Sequence, residues 1–111
     1  MSNKSKGADF ERRVKKELEL RGWYVIRNRQ PSFKFKSVAQ FPDLVALPEK
    51  GEEPMFIECK WNKYLKPEEQ EKFKNLEQYG KVFVCWREKI KNKIYCVFGN
   101  PYDYREIFRI K

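Results

Sequence analysis

The stretch FPDLVALPEKGEEPMFIECKWNK, Phe41–Lys63, decides the reading of this chain. Two apolar pieces, PDLVAL and MFIECKW, flank the polar turn PEKGEEP, which is the pattern of a β-hairpin. Side chains alternate faces along a strand. Phe56, Glu58 and Lys60 therefore share one face of the second piece, and Ile57, Cys59 and Trp61 share the other. On the first piece Asp43, Val45 and Leu47 share a face. If the pieces pair around the turn, Asp43 and Glu58 become near neighbours across the ladder. Two like charges so placed repel unless a cation sits between them. Mg²⁺ takes a few oxygen ligands and keeps several waters, and the backbone carbonyl of Cys59 adds an oxygen to the two carboxylates. Lys60 on the Glu58 face can then stabilise charge developing on a phosphate or orient an attacking water. A metal so held activates water and polarises a phosphodiester. The alternative is a solvated hairpin face. Against it, the flanks are apolar, as a buried strand requires, and Pro-Asp and Glu-x-Lys each occur once in the chain, on adjacent strands.

Upstream, the spacing predicts a polar arm over residues 1–6 and a helix from about Ala8 to Arg21. Phe10, Val14, Leu18 and Arg21 form its stripe, and Gly22 ends it. Glu11 lies one position round from Phe10, at the stripe's edge. Trp23–Asn28 reads as a strand, followed by a basic loop, Arg29–Gln40, with Phe33 and Phe35 set between lysines. Downstream, KPEEQEKFKNLEQYG reads as a second helix, with Pro67 in its first turn, Phe73 and Leu76 three apart, and Gly80 at its close. KVFVCW and KIYCVF read as strands around the basic turn REKIKN, and the last segment, NPYDYREIFRIK, as a short helix or an extended tail. The expected order is α-β-β-β-α-β-β, a mixed α/β domain over residues 7–111.

Composition narrows the chemistry. A chain of 111 residues suits one domain. A net charge of +9 favours a polyanionic partner, nucleic acid or an anionic membrane surface. No run of about 18 apolar residues is present, so no membrane-spanning helix is expected, and the N-terminus lacks the apolar core of a signal peptide. The three cysteines, Cys59, Cys85 and Cys96, are widely spaced in apolar runs and read as reduced core thiols of a cytosolic protein. With no histidine and no Cys-x-x-Cys pair, zinc sites and histidine-activated nucleophiles are disfavoured. Catalysis, if present, rests on carboxylates, lysines and a metal.

The succession GADFERRVKKELELRGWYVIR, PDLVAL and IECK resembles the PD-(D/E)XK nuclease superfamily, and within it the archaeal-type Holliday junction resolvases. The resemblance spans about residues 6–64. Its specific element is Gly7, then Phe10-Glu11-Arg12, a helix ending in Gly22 and a strand ending in Arg27. It implies a restriction-endonuclease-like fold with a mixed central sheet and flanking helices. It also implies a Mg²⁺-dependent homodimer, with Mn²⁺ as a substitute metal, that resolves four-way DNA junctions by paired nicks in recombination or replication. Carried over, Asp43 and Glu58 bind metal together with the Cys59 carbonyl, Glu11 acts near the metal through water, and Lys60 is the catalytic lysine. Arg12 and Arg27 contact phosphate near the scissile bond, and Ser32 matches the family's loop serine. Apart from the resemblance, the mix of charge and rings in the basic loop makes Arg29, Lys34 and Lys36 expected DNA contacts. A cytoplasmic, prokaryotic setting is expected, and a virus-encoded member fits so economical a chain. The rival readings are another nuclease of the same fold, such as a nickase or a restriction-like enzyme, and a DNA-binding module without catalysis.

Each singled-out residue also has a plain structural role. Glu11 can pair with Lys15 one turn on, and Arg27 can be a solvated strand end. One phenylalanine of the 29–40 loop can plug the core. Lys89, Lys91 and Lys93 read as a solvated turn. Trp61 and Trp86 read as core or dimer-interface anchors.

Overall fold

The computed structural model describes residues 3–28, 42–60 and 67–110, without the side chains of residues 3–6, 68 and 69. The elements run α1 (Asn3–Glu19), β1 (Tyr24–Arg27), β2 (Leu44–Leu47), β3 (Met55–Lys60), α2 (Pro67–Leu76), β4 (Lys81–Ile90), β5 (Lys93–Gly99) and β6 (Glu106–Ile110). The sheet follows chain order, β1-β2-β3-β4-β5-β6. Every neighbouring pair is antiparallel except β3 and β4, which are parallel. That exception follows from α2, because a parallel pair needs a long crossover and the helix lies within it.

The two helices pack on different core clusters. Phe10, Val14 and Leu18 of α1 are buried against Val25, Leu44, Ala46, Met55, Ile57, Phe83, Cys85, Cys96 and Phe98. Phe73 of α2 is fully buried against Phe56, Val84, Trp86 and Val97. Burial of the Phe73 ring stabilises the docking of α2 by about 1.5–3 kcal/mol. Strand alternation separates the two sets: Ile57 and Cys59 of β3 face α1, whereas Phe56 belongs to the α2 side.

Helix α1 begins at Asn3, earlier than the expected Ala8, so backbone read as a polar arm is helical. Its C-terminus is a Schellman arrangement. The Trp23 N–H donates to the Leu18 carbonyl at 3.2 Å and the Gly22 N–H to that of Glu19 at 3.1 Å. Gly22 sits at φ +94°, where a side chain would be strained. Arg21, expected on the buried stripe, is exposed and pairs with Glu17 at 3.1 Å.

Two further differences lie in the C-terminal half. The segment read as the turn REKIKN is mostly strand: β4 continues to Ile90, and only Lys91 and Asn92 turn, at φ 49° and 66°. The tail forms the edge strand β6. Its Phe108 ring stacks on Phe98 at 4.5 Å between centroids and meets Phe83 edge-on at 5.4 Å. Trp86 is a core residue, 5% exposed. Trp61 lies outside the described residues. Cys59, Cys85 and Cys96 are free thiols, as expected, and burial pushes those of Cys59 and Cys85 well up, which keeps them protonated.

Candidate active site

The β2–β3 ladder pairs Leu44 with Ile57 and Val45 with Phe56. One step further along this register sets Asp43 opposite Glu58, the neighbours that alternation predicted. The two residues are tied by reciprocal bonds. The Asp43 N–H donates to Glu58 Oε1 at 3.1 Å, and the Cys59 N–H donates to Asp43 Oδ2 at 2.9 Å. Each carboxylate is thus aimed by the backbone of the opposite strand, where a short side chain has few other rotamers to adopt.

Glu58 is 4% exposed and is the buried charged side chain among the described residues. A buried carboxylate is costly unless paired. Lys72 of α2 supplies a partner: its Nζ lies 2.8 Å from Glu58 Oε2, with 13% of the Lys72 side chain exposed. Sequence reasoning did not single out Lys72. The signal was there, because Lys72 precedes the buried Phe73 and stands one turn before Leu76, at the edge of the apolar stripe as Glu11 is on α1.

Burial raises the Asp43 carboxyl above its ordinary value, and the Glu11 charge raises it further. The Cys59 N–H, the contact with Glu58 and the Lys72 charge pull the other way without cancelling the rise. Asp43 therefore senses both helices, Glu11 from α1 and Lys72 from α2.

Glu11 does not use Lys15. It accepts from Arg27 Nε at 3.2 Å, in a pair whose side chains are 20% and 17% exposed, while Lys15 pairs with Glu19 at 3.0 Å. Arg27 is thus a held residue and not a solvated strand end. Arg12 is exposed and pairs with Asp9 at 3.0 Å. Arg12, Lys15, Glu19 and Arg27 line a shallow surface cleft of about 370 Å³ beside Glu11. Lys60 ends β3, half-buried, in register with Trp86. Arg29, Ser32, Lys34 and Lys36 lie outside the described residues. A cavity of about 900 Å³ is lined by Leu18, Trp23, Met55, Phe83 and Phe108 among others, and none of the candidate carboxylates borders it.

Among the described residues, no three acidic, cysteine or histidine side chains form a ready-made metal cage. The donor set is leaner: Asp43, Glu58 and backbone oxygen, with Glu11 close enough for its charge to act on Asp43. This fits a hard cation that takes one or two carboxylates and keeps its waters, the habit of Mg²⁺. It does not fit zinc, which favours nitrogen and sulfur ligands in a closed tetrahedron, since Cys59 packs against the α1-side core on the face opposite Glu58.

There is no match among curated proteins. A solved structure, that of Hjc, a Holliday junction resolvase from the archaeal hyperthermophile Archaeoglobus fulgidus, superposes with a TM-score of 0.57. It shares 23% sequence identity, over 92% of this chain and 84% of that one. This likeness establishes the restriction-endonuclease-like fold. The family described as archaeal Holliday junction resolvase (Hjc) matches the sequence over residues 2–101, and the chain belongs to that family.

Proposed function

We propose that this protein is a metal-dependent endonuclease that resolves four-way DNA junctions by phosphodiester hydrolysis. The observation that carries the proposal is the Asp43–Glu58 pair, two carboxylates crossed by reciprocal backbone bonds, with Lys60 two residues beyond Glu58 on the same strand face. Membership of the resolvase family supports the substrate.

In this reading Asp43, Glu58 and the Cys59 carbonyl hold Mg²⁺ or Mn²⁺, with Glu11 engaged through water. The ion supplies Lewis-acid stabilisation of the phosphate and a more acidic water. The protein's own groups do the rest. Lys60 places an ammonium against the charge that develops on the phosphate. Arg27, held by Glu11, and Arg12 in the adjacent cleft seat the DNA backbone. Arg29, Ser32, Lys34 and Lys36 extend that contact from the β1–β2 connection. Net positive charge supplies affinity, and junction shape supplies selectivity. A four-way junction has approximate two-fold symmetry, so a two-fold dimer presents one site to each of two opposed strands, giving paired symmetric nicks. The setting is the cytoplasm of a prokaryotic cell, with a viral origin compatible with the chain's economy.

Purified protein with Mg²⁺ is to be offered a four-way junction, a nicked duplex and a linear duplex. Symmetric cutting of the junction alone is expected. Equal cutting of the linear duplex replaces the proposal by a general nuclease of the same fold. Inertness with both Mg²⁺ and Mn²⁺ leaves a binding module.

A further inference from the structure

Lys72 has no part in the chemistry proposed above, yet its ammonium is 2.8 Å from Glu58 Oε2 and its charge also reaches Asp43. It comes from a different element, α2, which is also attached by contacts other than the ion pair. Phe73 is fully buried in the sheet, and Gln70 Nε2 donates to the Pro101 carbonyl at 3.2 Å. The helix therefore delivers a fixed cation to the far oxygen of Glu58, while the near oxygen accepts from the Asp43 N–H.

We propose that Lys72 is a positioning residue that serves as an internal stand-in cation, neutralising and orienting Glu58 while no metal is bound and opposing the divalent ion once it arrives. The inference rests on the metal-dependent reading above. Its physical basis is simple. A buried carboxylate needs a counter-charge in the metal-free protein. A divalent ion held by the same carboxylate would bring a second positive charge beside the ammonium, and the two would repel in a poorly solvated setting. Lys72 thus stabilises the metal-free site more than the metal-bound one. By reciprocity of linkage, removing its charge must tighten metal binding. The benefit to the enzyme is a site whose Glu58 is already paired and aimed before the metal enters. This also makes metal occupancy and the seating of α2 energetically coupled.

The test is a Mn²⁺ titration of the DNA-free protein, with free Mn²⁺ read by electron paramagnetic resonance. Lys72→Gln, which keeps a donor toward Glu58 but removes the charge, is expected to bind Mn²⁺ roughly three- to tenfold more tightly than the unaltered protein, a modest coupling of the usual size. Lys72→Arg, which keeps the charge, is expected to stay within about twofold of it. Equal or weaker Mn²⁺ binding by Lys72→Gln overturns the proposal, as does a Lys72→Gln protein that is unfolded both with and without Mn²⁺. A variant that folds only with Mn²⁺ supports it. Where measurable binding requires DNA, the half-saturating Mn²⁺ for junction cleavage gives the same comparison. Cleavage by the unaltered protein keeps the two readings apart: cleavage without the affinity change sinks only the role of Lys72, whereas neither binding nor cleavage removes the metal-dependent reading itself.

Discussion

The β4–β5 and β2–β3 hairpins both carry charges in or beside their strands, and they treat those charges in opposite ways. The β4–β5 hairpin carries Arg87, Glu88, Lys89 and Lys93 toward a two-residue turn, and these side chains are exposed or half-buried. The β2–β3 hairpin carries Asp43 and Glu58 at its open end, where β3 is covered on both faces. In the first, the charges stay at the surface and alternation keeps them off the core. In the second, Glu58 is buried and Asp43 half-buried, and backbone N–H groups and a helix-borne ammonium contact them in place of water. Charge in a strand is thus uninformative by itself. What marks a site is charge whose solvation the protein has had to rebuild.

The largest test of this contrast is to remove one partner in each hairpin. Lys72→Met leaves Glu58 buried beside a lost counter-charge and is expected to destabilise the metal-free protein by about 3–5 kcal/mol. Lys89→Met, at the exposed hairpin, should fall within about 0.5 kcal/mol of no change. Urea denaturation in the presence of a chelator measures both. The double variant Glu58→Leu/Lys72→Met should recover most of the loss, because a well-packed apolar pair replaces a buried ion pair at little net expense. A Lys72→Met protein as stable as the parent would mean that the ion pair contributes nothing and that the two hairpins do not differ in this respect.

Asp43→Asn tests the same hairpin for chemistry. Junction cleavage is expected to drop by roughly 10²–10³-fold, the scale for losing one transition-state-stabilising group, with junction binding retained in a gel-shift assay. Stability should move the other way. The Asp43 carboxyl is raised in the folded protein, mainly by burial. Its favourable contribution is therefore full below its unfolded value and is lost as pH rises through the folded one. The metal-free Asp43→Asn protein should gain stability over the parent progressively from about pH 4 upward, which thermal midpoints across a pH series would show. A gain that shrinks with rising pH would reverse the assigned direction.

These two hairpins also show what a sequence can reveal. Asp43 and Glu58 were legible because a period-two pattern is local, and a short turn fixes which residues oppose each other. The free core thiols were legible from their apolar neighbours. Lys72 was not, because its role depends on where α2 crosses the sheet, which no local period encodes. Strand alternation sets Arg27 on one face with Trp23 and Val25, but its pairing with Glu11 requires α1 to lie across β1. The extension of β4 to Ile90 was hidden by charges that could equally mark a loop. Strand β6 was hidden by Ile107, an exposed apolar residue that blurs the alternation set by Phe108 and Ile110.

A smaller effect comes from the close approach behind the β4–β5 pair. At Gly99 an added Cβ would lie 2.5 Å from Trp86 Cη2, and Trp86 is packed in the α2-side core. Gly99→Ala must push that indole and is expected to destabilise by about 1–3 kcal/mol. Cleavage measured well below the melting transition should be retained, because the bonds that aim the two carboxylates run between Asp43, Glu58 and Cys59. Loss of cleavage in a folded Gly99→Ala protein would show that the α2-side core and the site are more tightly joined than the contrast allows.

The smallest effect belongs to the exposed hairpin's own turn. Lys91 and Asn92 both have positive φ, the geometry of a type I′ turn, in which lysine is strained and Asn-Gly is favoured. Replacing Lys91 by Asn and Asn92 by Gly is expected to stabilise the protein by about 0.5–1 kcal/mol and to leave junction cleavage unchanged. The exchange also removes one positive charge, so salt-dependent binding provides a second reading. If Lys91 only decorates a solvated turn, junction affinity at fixed ionic strength stays the same. If the hairpin tip touches a phosphate, the slope of log affinity against log salt falls by close to one contact's worth, about 0.9. That result would place the second hairpin on the DNA as well. Its charges would then be solvated for a purpose, and the contrast with Asp43 and Glu58 would be one between binding and chemistry.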